Sequence, residues 1–204
     1  TNQDDFVVGT PIWNRDKENL EDIIGLFASG IPIRCTVEEN WSFRKLMEHS
    51  KKSSLDAYEN HLYPFNKIIE ELNPTTDFSR QKVMSVFFGV QNDDTELTER
   101  NFDGITINDI TGQYDLKINH TSVFDFTLQI DHSQHYMWYS LRYNTDLFKA
   151  STAQNFLSRY EQLIRQCIAD PEQNIGDYDI LLNEEKTIIS DFTENADVFA
   201  IEDY

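Results

Sequence analysis

Histidine is the residue type in this sequence best suited to acid–base or metal chemistry, and it occurs five times. His132 and His135 are three residues apart, a spacing that brings two ligands to one face when it falls on a helix. The alternating residues on either side predict instead a hairpin, with its turn over residues 131–134. We therefore interpret this pair as turn and strand histidines rather than as metal ligands. The other three histidines stand alone in the sequence: His49, His61 and His120.

The nucleophile candidates are equally isolated in the sequence. Ser29 precedes Gly30, as in a nucleophile turn, but no nearby base is implied, so a structural turn is the favoured interpretation. Cys35 and Cys167 form neither a disulfide framework nor a Cys-x-x-Cys metal site, and this cysteine usage fits a reducing cytoplasm. Glycine-rich phosphate loops and the Gly-x-Ser-x-Gly elbow are absent from the sequence. A self-sufficient active site is therefore not predicted.

Hydrophobic periodicity indicates which elements would position these residues. Alternating or continuous apolar runs predict strands over residues 6–9, 31–37, 83–91, 105–110, 124–131 and 135–143. Apolar residues three or four positions apart predict helices over residues 17–26, 43–59, 65–72 and 148–168, with one more turn or short helix in 180–192. This order predicts an α/β fold with a mixed sheet, in which parallel and antiparallel pairs are both possible.

Single residues fix several boundaries of these predicted elements. Ser42 and Ser151 are predicted N-caps, because their hydroxyls can accept a bond from the first helical turn. Pro32 lacks an N–H and is therefore expected at a sheet edge or strand start. The remaining expectations are a turn over residues 9–11, a strand buried on both faces over 83–91, an exposed loop over 92–103, and a helix stop at residues 170–171.

Charge and hydropathy exclude several functional classes. The 204-residue chain carries a formal charge of −19, which repels phosphate backbones and anionic membranes, so neither nucleic acid nor a membrane is an expected partner. No apolar stretch approaches the roughly 18 residues of a membrane span, and the polar N-terminus is not a secretory signal. The first residue is not Met, so we expect a fragment of a longer polypeptide.

Six local strings, taken in order, resemble one known family. They are residues 7–15 (VVGTPIWNR), residues 24–34 (IGLFASGIPIR), Tyr63-Pro64-Phe65, the trio Asp77, Ser79 and Arg80, residues 141–148 (LRYNTDLF), and residues 170–177 (DPEQNIGD). Each string is weak alone, but six in order across nearly the whole chain resemble the C-terminal lobe of a nonribosomal peptide synthetase condensation domain. A related epimerization or cyclization domain is the rival, and residues 24–34 and 63–65 favour the peptide-forming type.

The resemblance implies a two-lobed fold related to chloramphenicol acetyltransferase, with the active site in a tunnel between the lobes. It implies amide formation between a donor acyl or peptidyl thioester and an acceptor aminoacyl thioester. Both would be carried on the phosphopantetheine arms of carrier proteins, so no cofactor would be bound directly. Residues 1–180 would form the acceptor-side lobe, N-terminally truncated, and residues 181–204 would be a linker towards an adenylation domain. The implied partners are the N-terminal lobe, the adenylation domain and the peptidyl carrier proteins of one cytoplasmic synthetase.

The resemblance also assigns roles to single residues. Arg15 matches the arginine that pairs with the aspartate of the family's His-His-x-x-x-Asp-Gly motif, against the alternative of a surface arginine pairing with Asp16 or Glu18. Ser29 and Gly30 replace the Asn and Thr of the tunnel-side motif. The other matched positions are interpreted as structural: Asn14, Tyr63, Pro64, Phe65, Asp77, Ser79 and Arg80. Four neighbouring positions depart from the pattern: Leu62, Asn66, Gln81 and Lys82.

The sequence contains neither a His-His pair nor a His-x-x-x-Asp-Gly string. No catalytic residue is therefore predicted within these 204 residues, and we expect no peptide-bond formation by this chain alone. The alternative interpretation is a non-catalytic lobe that docks a carrier protein or braces an adenylation domain. An acidic interaction domain unrelated to synthetases ranks last, since it leaves six ordered motif matches unexplained.

Overall fold

The computed structural model describes residues 3–20, 22–72, 83–92, 100–102, 105–107, 122–132 and 137–194. Its strands are β1 (Asp5–Ile12), β2 (Ser29–Thr36), β3 (Val86–Asn92), β4 (Arg100–Phe102), β5 (Ile105–Ile107), β6 (Phe126–His132) and β7 (Met137–Tyr143). Its helices are α1 (Phe43–Glu59), α2 (Phe65–Leu72), α3 (Ala150–Ala169) and α4 (Asn183–Glu194), with 3₁₀ turns at Glu18–Leu20 and Ile175–Asp177. None of these helices has the length and apolar content needed to cross a membrane.

Five strands form one sheet in the order β2-β1-β3-β6-β7. β3 runs parallel to both β1 and β6, with Val86 opposite Val8 on one side and Phe126 on the other. β6 and β7 are antiparallel, with Phe126 opposite Tyr143, so the predicted hairpin and mixed sheet are both confirmed. The hairpin turn, with His135, lies outside the described residues. β4 and β5 form a separate antiparallel pair.

The chain divides into two compact units. Unit 1 comprises residues 1–35 and 53–147, and unit 2 comprises residues 36–52 and 148–204, so the division falls within α1. The sheet belongs to unit 1, where the most buried apolar side chains are Ile31, Met84 and Leu128. In unit 2 the most buried apolar side chains are Trp41, Ala153, Cys167 and Tyr178.

Backbone and side-chain hydrogen bonds join the start of α1 to residues 171–176 within unit 2. The N–H of Ile175 donates to the Trp41 carbonyl at 2.8 Å, and the Arg44 N–H donates to the Pro171 carbonyl at 3.0 Å. Arg44 also forms an ion pair with Glu172. The segment that follows α3 is therefore fixed by the same residues that begin α1.

Three of the boundary predictions are confirmed. Ser42 Oγ accepts a bond from the Lys45 N–H at 3.3 Å, which caps α1 as expected. Pro32 lies in β2, an edge strand of the sheet, as expected for a residue that has no N–H donor. Asp170 is the C-cap of α3, so the predicted stop is also correct.

The predicted helix over residues 17–26 is wrong, since only Glu18–Leu20 is helical, as a 3₁₀ turn. The carbonyls of Leu20 and Gly25 accept bonds from the Arg15 side chain rather than continuing a helical ladder. Ile24 and Leu26 are 102% and 92% exposed, so the segment has no buried apolar face to stabilise a helix.

The predicted turn over residues 9–11 is also wrong, because β1 continues to Ile12. Gly9 lies opposite Phe87 in the parallel ladder, and a Cβ there would lie 2.7 Å from Phe87 Cδ2. The glycine therefore permits close approach of a side chain and does not mark a turn.

Three smaller predictions need correction. Ser151 is not the N-cap of α3, because the Thr152 and Ala153 N–H groups already bond the Lys149 carbonyl. β3 begins at Val86 rather than at residue 83, and it is not buried on both faces, since Val86 and Val90 are 39% and 52% exposed. β4 lies within the expected 92–103 loop.

Candidate functional site

The junction between β1 and β2 is organised by Asn14. Its φ of 53° is in the left-handed region, which asparagine adopts more readily than most residues. Its Nδ2 donates to the Phe27 carbonyl and to Ser29 Oγ, both at 2.8 Å. Its Oδ1 is buried without a hydrogen-bond partner among the described residues. Asn14 therefore ties the end of β1 to the start of β2, at the cost of a strained backbone and an unsatisfied acceptor.

The segment between these strands folds around Arg15. The guanidinium donates to the carbonyls of Leu20 and Gly25, the latter at 3.2 Å. It also lies 4.4 Å from the centroid of the Phe27 ring, within cation–π distance. Because the donor groups of arginine are fixed in one plane, a single guanidinium can contact two carbonyls and an aromatic face, and it holds these residues of the loop together. By contrast, the neighbouring Trp13 is 70% exposed.

An apolar cleft opens in unit 1 beside Ser29. Its volume is about 350 Å³, and we call it the glycine–phenylalanine cleft. It is lined by Ala28, Ser29, Gly30, Phe65, Met84, Phe87 and Phe124.

The walls of the glycine–phenylalanine cleft come from the sheet, its flanking segments and α2. The rings of Phe87 and Phe124 stack at 4.6 Å with an interplanar angle of 16°. Phe87 lies close to the backbone of β1 and of β2, since a Cβ at Gly9 or Gly30 would lie 2.7 Å or 3.2 Å from its ring. Two glycines therefore make the space in which this ring and the cleft lie.

A smaller hollow of about 250 Å³ surrounds His61 in unit 1. His61 Nδ1 lies 2.5 Å from the Tyr58 carbonyl, which can only accept, so this nitrogen carries a proton. His61 Nε2 lies 2.7 Å from Asp16 Oδ2, an ion-pair distance without hydrogen-bond alignment. The Tyr63 hydroxyl donates to Glu71, and this bond raises the pKa of the Tyr63 phenol. The sequence spacing alone gave no indication that Asp16 and His61 would meet.

Neither cysteine has the environment of an activated thiol. Burial raises the pKa of the Cys35 thiol and of the Cys167 thiol. A thiolate nucleophile requires the opposite shift, so covalent catalysis through cysteine is not supported. Among the described residues, no group of three or more metal-ligating side chains is close enough to hold a metal ion.

The structure brings together part of the predicted site. Asn14, Arg15 and Ser29 meet around the loop between β1 and β2, and Ser29, Gly30 and Phe65 line one cleft. Tyr63 lies at the His61 hollow, and Pro64 accepts the first backbone bond of α2 from the Lys67 N–H at 2.9 Å. The predicted residues Asp77, Ser79 and Arg80 lie outside the described residues.

Sequence reasoning missed the aromatic walls of the cleft. Met84, Phe87 and Phe124 were predicted only as strand or core residues, although each lines the cleft. The available signal was the glycine at positions 9 and 30, because strand glycines mark close approach of another group.

Comparison with known sequences identifies the family of this chain. The sequence model of the condensation domain matches residues 1–189. Surfactin synthase subunit 1 of Bacillus subtilis (strain 168) is 35% identical over 189 residues, which are 91% of this chain and 5% of that protein. A dimodular nonribosomal peptide synthase of the same organism is 32% identical over 89% of this chain and 8% of its own length. The chain thus spans less than a tenth of these relatives.

Comparison with solved structures supports the same fold. A four-domain nonribosomal peptide synthetase bound to AMP and glycine superimposes with a TM-score of 0.74 at 20% identity, over 91% of this chain and 15% of that chain. The X-domain from teicoplanin biosynthesis gives a TM-score of 0.71 at 23% identity, over 87% of this chain and 40% of that chain. The mixed sheet with flanking helices is the fold predicted from the sequence.

Proposed function

This chain belongs to the condensation-domain family, and we propose that it is part of a nonribosomal peptide synthetase domain that forms an amide bond. The acceptor amine nitrogen would attack the carbonyl carbon of the donor thioester. The C–N bond forms, the C–S bond breaks, and the proton lost by the amine is transferred to the departing thiolate. The observation that carries this proposal is the family match over residues 1–189.

We propose that Arg15 holds this lobe against the lobe that carries the His-His-x-x-x-Asp-Gly motif. The guanidinium is fixed by the Gly25 carbonyl and the Phe27 ring, so its position is determined before any partner arrives. Pre-organised charge lowers the entropic cost of pairing with a carboxylate. Arg15 is therefore a positioning residue in this proposal, and the general base would come from the other lobe.

The proposed partners are the domains of one synthetase. Carrier proteins would present the donor and acceptor on phosphopantetheine arms, which are parts of the substrates and not cofactors of this chain. Residues 1–180 would form the acceptor-side lobe. Residues 181–204, whose described part includes α4, would lead towards an adenylation domain.

Reconstitution tests the proposed reaction. Donor and acceptor carrier proteins loaded with defined aminoacyl groups are mixed with this chain alone, or with the synthetase polypeptide that includes both lobes, and the amide product is quantified by mass spectrometry. We expect product from the two-lobed polypeptide only. Product above background from this chain alone would contradict the assignment of the base to the other lobe.

Arg15 variants sharpen this test. Arg15→Ala should lower the rate of the two-lobed polypeptide, while Arg15→Lys, which keeps the charge but not the fork, should lower it less. Restoring the rate by high concentrations of a separately added N-terminal lobe would indicate a positioning role. If the intact polypeptide binds loaded carriers without forming product, the amide-forming function is wrong and a docking role replaces it.

A further inference from the structure

The glycine–phenylalanine cleft has the composition of a pocket for an apolar side chain. Of the seven described residues that line its 350 Å³, only Ser29 has a polar side chain, and none of the seven is charged. A charged or amide side chain entering the cleft would lose its hydration without finding partners on these walls. An aliphatic or aromatic side chain would instead exchange water for contact with Phe65, Met84 and Phe87.

We propose that this cleft receives the side chain of the acceptor amino acid and that Gly30 sets the largest side chain it admits. This inference rests on the proposed function and adds the substrate class to it, namely acceptors with large apolar side chains. The residues that line the cleft would then select the acceptor without taking part in amide formation.

Gly30 determines the width of the cleft because the Phe87 ring lies beside it. Its backbone is not in the left-handed region, so the chain conformation does not itself require glycine. A Cβ at this position would lie 3.2 Å from Phe87 Cε2 and 3.8 Å from Phe87 Cζ. Any side chain on Gly30 would therefore extend into the space beside the Phe87 ring.

The far wall of the cleft resists collapse. Phe87 is held by its stack on Phe124 at 4.6 Å, and the Gly9 backbone also lies against the same ring. A ring held on two sides cannot swing to fill the space that Gly30 leaves. The cleft is therefore a preformed shape and not a gap that side chains would close.

Ser29 gives the cleft one polar end. Its Oγ accepts the bond from Asn14 Nδ2 at 2.8 Å, so its hydroxyl hydrogen can donate to a ligand carbonyl. An aminoacyl thioester has this combination of an apolar side chain and an adjacent carbonyl. A purely apolar ligand would make no use of Ser29.

The test measures acceptor preference in the two-lobed polypeptide. Acceptor carrier proteins are loaded with alanine, leucine or phenylalanine, and the rate of amide formation is compared for wild type, Gly30→Ala and Gly30→Thr. We expect Gly30→Thr to lower the phenylalanine-to-alanine rate ratio about tenfold or more, and Gly30→Ala to lower it less. The alanine-loaded acceptor reports folding in each variant, because it does not need the space that Gly30 leaves.

Ser158→Thr provides the control and should leave the ratio unchanged. It adds a methyl group to a separate groove in unit 2, which we call the polar groove and which is lined by Ser158, Glu161, Gln162, Arg165, Gln166 and Asp179. If wild type forms product but Gly30→Thr leaves the ratio unchanged, the cleft is not the side-chain pocket, while the proposed function survives. If wild type forms no product with any acceptor, the proposed function fails.

An NMR titration tests ligand binding to the cleft independently of catalysis. The Met84 methyl resonance of this chain is followed by NMR during titration with pantetheine thioesters of phenylalanine and of alanine. We expect a shift with the phenylalanine thioester only, and its loss in Gly30→Thr. No shift with phenylalanine thioester would overturn the assignment.

Discussion

The groove in unit 2 and the glycine–phenylalanine cleft in unit 1 differ in chemistry more than in size. The groove in unit 2 measures about 440 Å³ and the glycine–phenylalanine cleft in unit 1 about 350 Å³. In the groove, the Gln162 and Gln166 amides both donate to the Asp179 carbonyl at 2.7 Å, and the Asp179 N–H donates to Gln166 Oε1 at 3.0 Å. The larger hollow is thus built from groups that already bond one another, so its volume alone does not make it a ligand site.

The same contrast extends to the surroundings of each hollow. In unit 2, side chains fix the backbone: the Tyr178 hydroxyl donates to the Asp170 carbonyl at 2.6 Å, and Gln162 also bonds the Leu181 carbonyl. In unit 1, the stacked rings of Phe87 and Phe124 line the cleft together with Gly30, and Gly9 makes room for the Phe87 ring. The side chains around the groove in unit 2 bond the backbone and stabilise the fold. The cleft in unit 1 is instead lined by apolar side chains that are open to solvent. Four predictions test that division.

The largest effect is expected for Trp41→Ala in unit 2. Trp41 is 7% exposed, and its ring lies 4.9 Å from the His49 ring and 4.7 Å from Lys45 Nζ. Removing a buried indole leaves a cavity, and the free energy of unfolding should fall by about 3–5 kcal/mol in urea denaturation. Phe65→Ala, in the cleft wall, removes a half-buried ring and should cost less than half as much. Equal losses from the two variants would break the comparison.

The next effect separates Gly9 and Gly30, the two glycines that lie beside the Phe87 ring. At Gly9 a Cβ would lie 2.7 Å from Phe87 Cδ2 and 2.8 Å from Met84 Sδ, whereas at Gly30 the nearest atom is 3.2 Å away. Gly9→Ala should therefore destabilise by about 1–3 kcal/mol through overpacking, and Gly30→Ala should be better tolerated. Thermal unfolding of the two variants provides the measurement. A larger loss for Gly30→Ala would show that its space is structural and not reserved for a ligand.

The sequence predicted the part of this molecule that depends on local pattern. The predicted cap at Ser42 and the predicted helix stop at Asp170 are correct, because the hydrogen bonds at both positions join residues that are only a few positions apart. The predicted helix over residues 17–26 failed because Arg15 binds carbonyls five and ten residues away, which periodicity does not reveal. A tertiary contact overrode local propensity there.

The candidate site was predictable only in part, for the same reason. Motif order located Asn14, Ser29 and Gly30, but the cleft also needs Phe87 and Phe124, which lie far along the chain and meet through the sheet. The parallel pairing of β3 with β1 and β6 brings them together, and no local pattern specifies that order.

A smaller effect is expected for Tyr178→Phe. Tyr178 is 6% exposed, and the variant removes only the hydroxyl that bonds the Asp170 carbonyl. The ring packing remains, so the loss should be about 1 kcal/mol. Tyr58→Phe, at a 41% exposed position, is the matched control and should change stability little. If Tyr178→Phe leaves the urea midpoint unchanged, side-chain bonds to the backbone do not stabilise unit 2 as argued.

The smallest effect concerns the ion pair at the edge of the polar groove. The hydrogen bond from Lys186 lowers the pKa of the Asp179 carboxyl below its ordinary value of 3.8, and the Leu181 N–H and the Lys186 charge lower it further. A carboxyl whose pKa is depressed on folding stabilises the folded state above the unfolded pKa and loses that contribution as pH falls through the folded pKa. Wild type should therefore have a higher Tm than Lys186→Met above pH 4, and the difference should shrink as pH falls below 3.8.

Because both partners are largely exposed, salt should shrink the same Tm difference at neutral pH. Lys67→Met, on α2 in unit 1, is the matched control for loss of one lysine, since it changes the net charge equally without touching Asp179. A Tm difference between wild type and Lys186→Met that is the same at pH 3 and pH 7 would show that the pair does not form in solution. The polar groove would then be held without this ion pair, by the glutamine–backbone bonds and the Glu161–Arg165 pair.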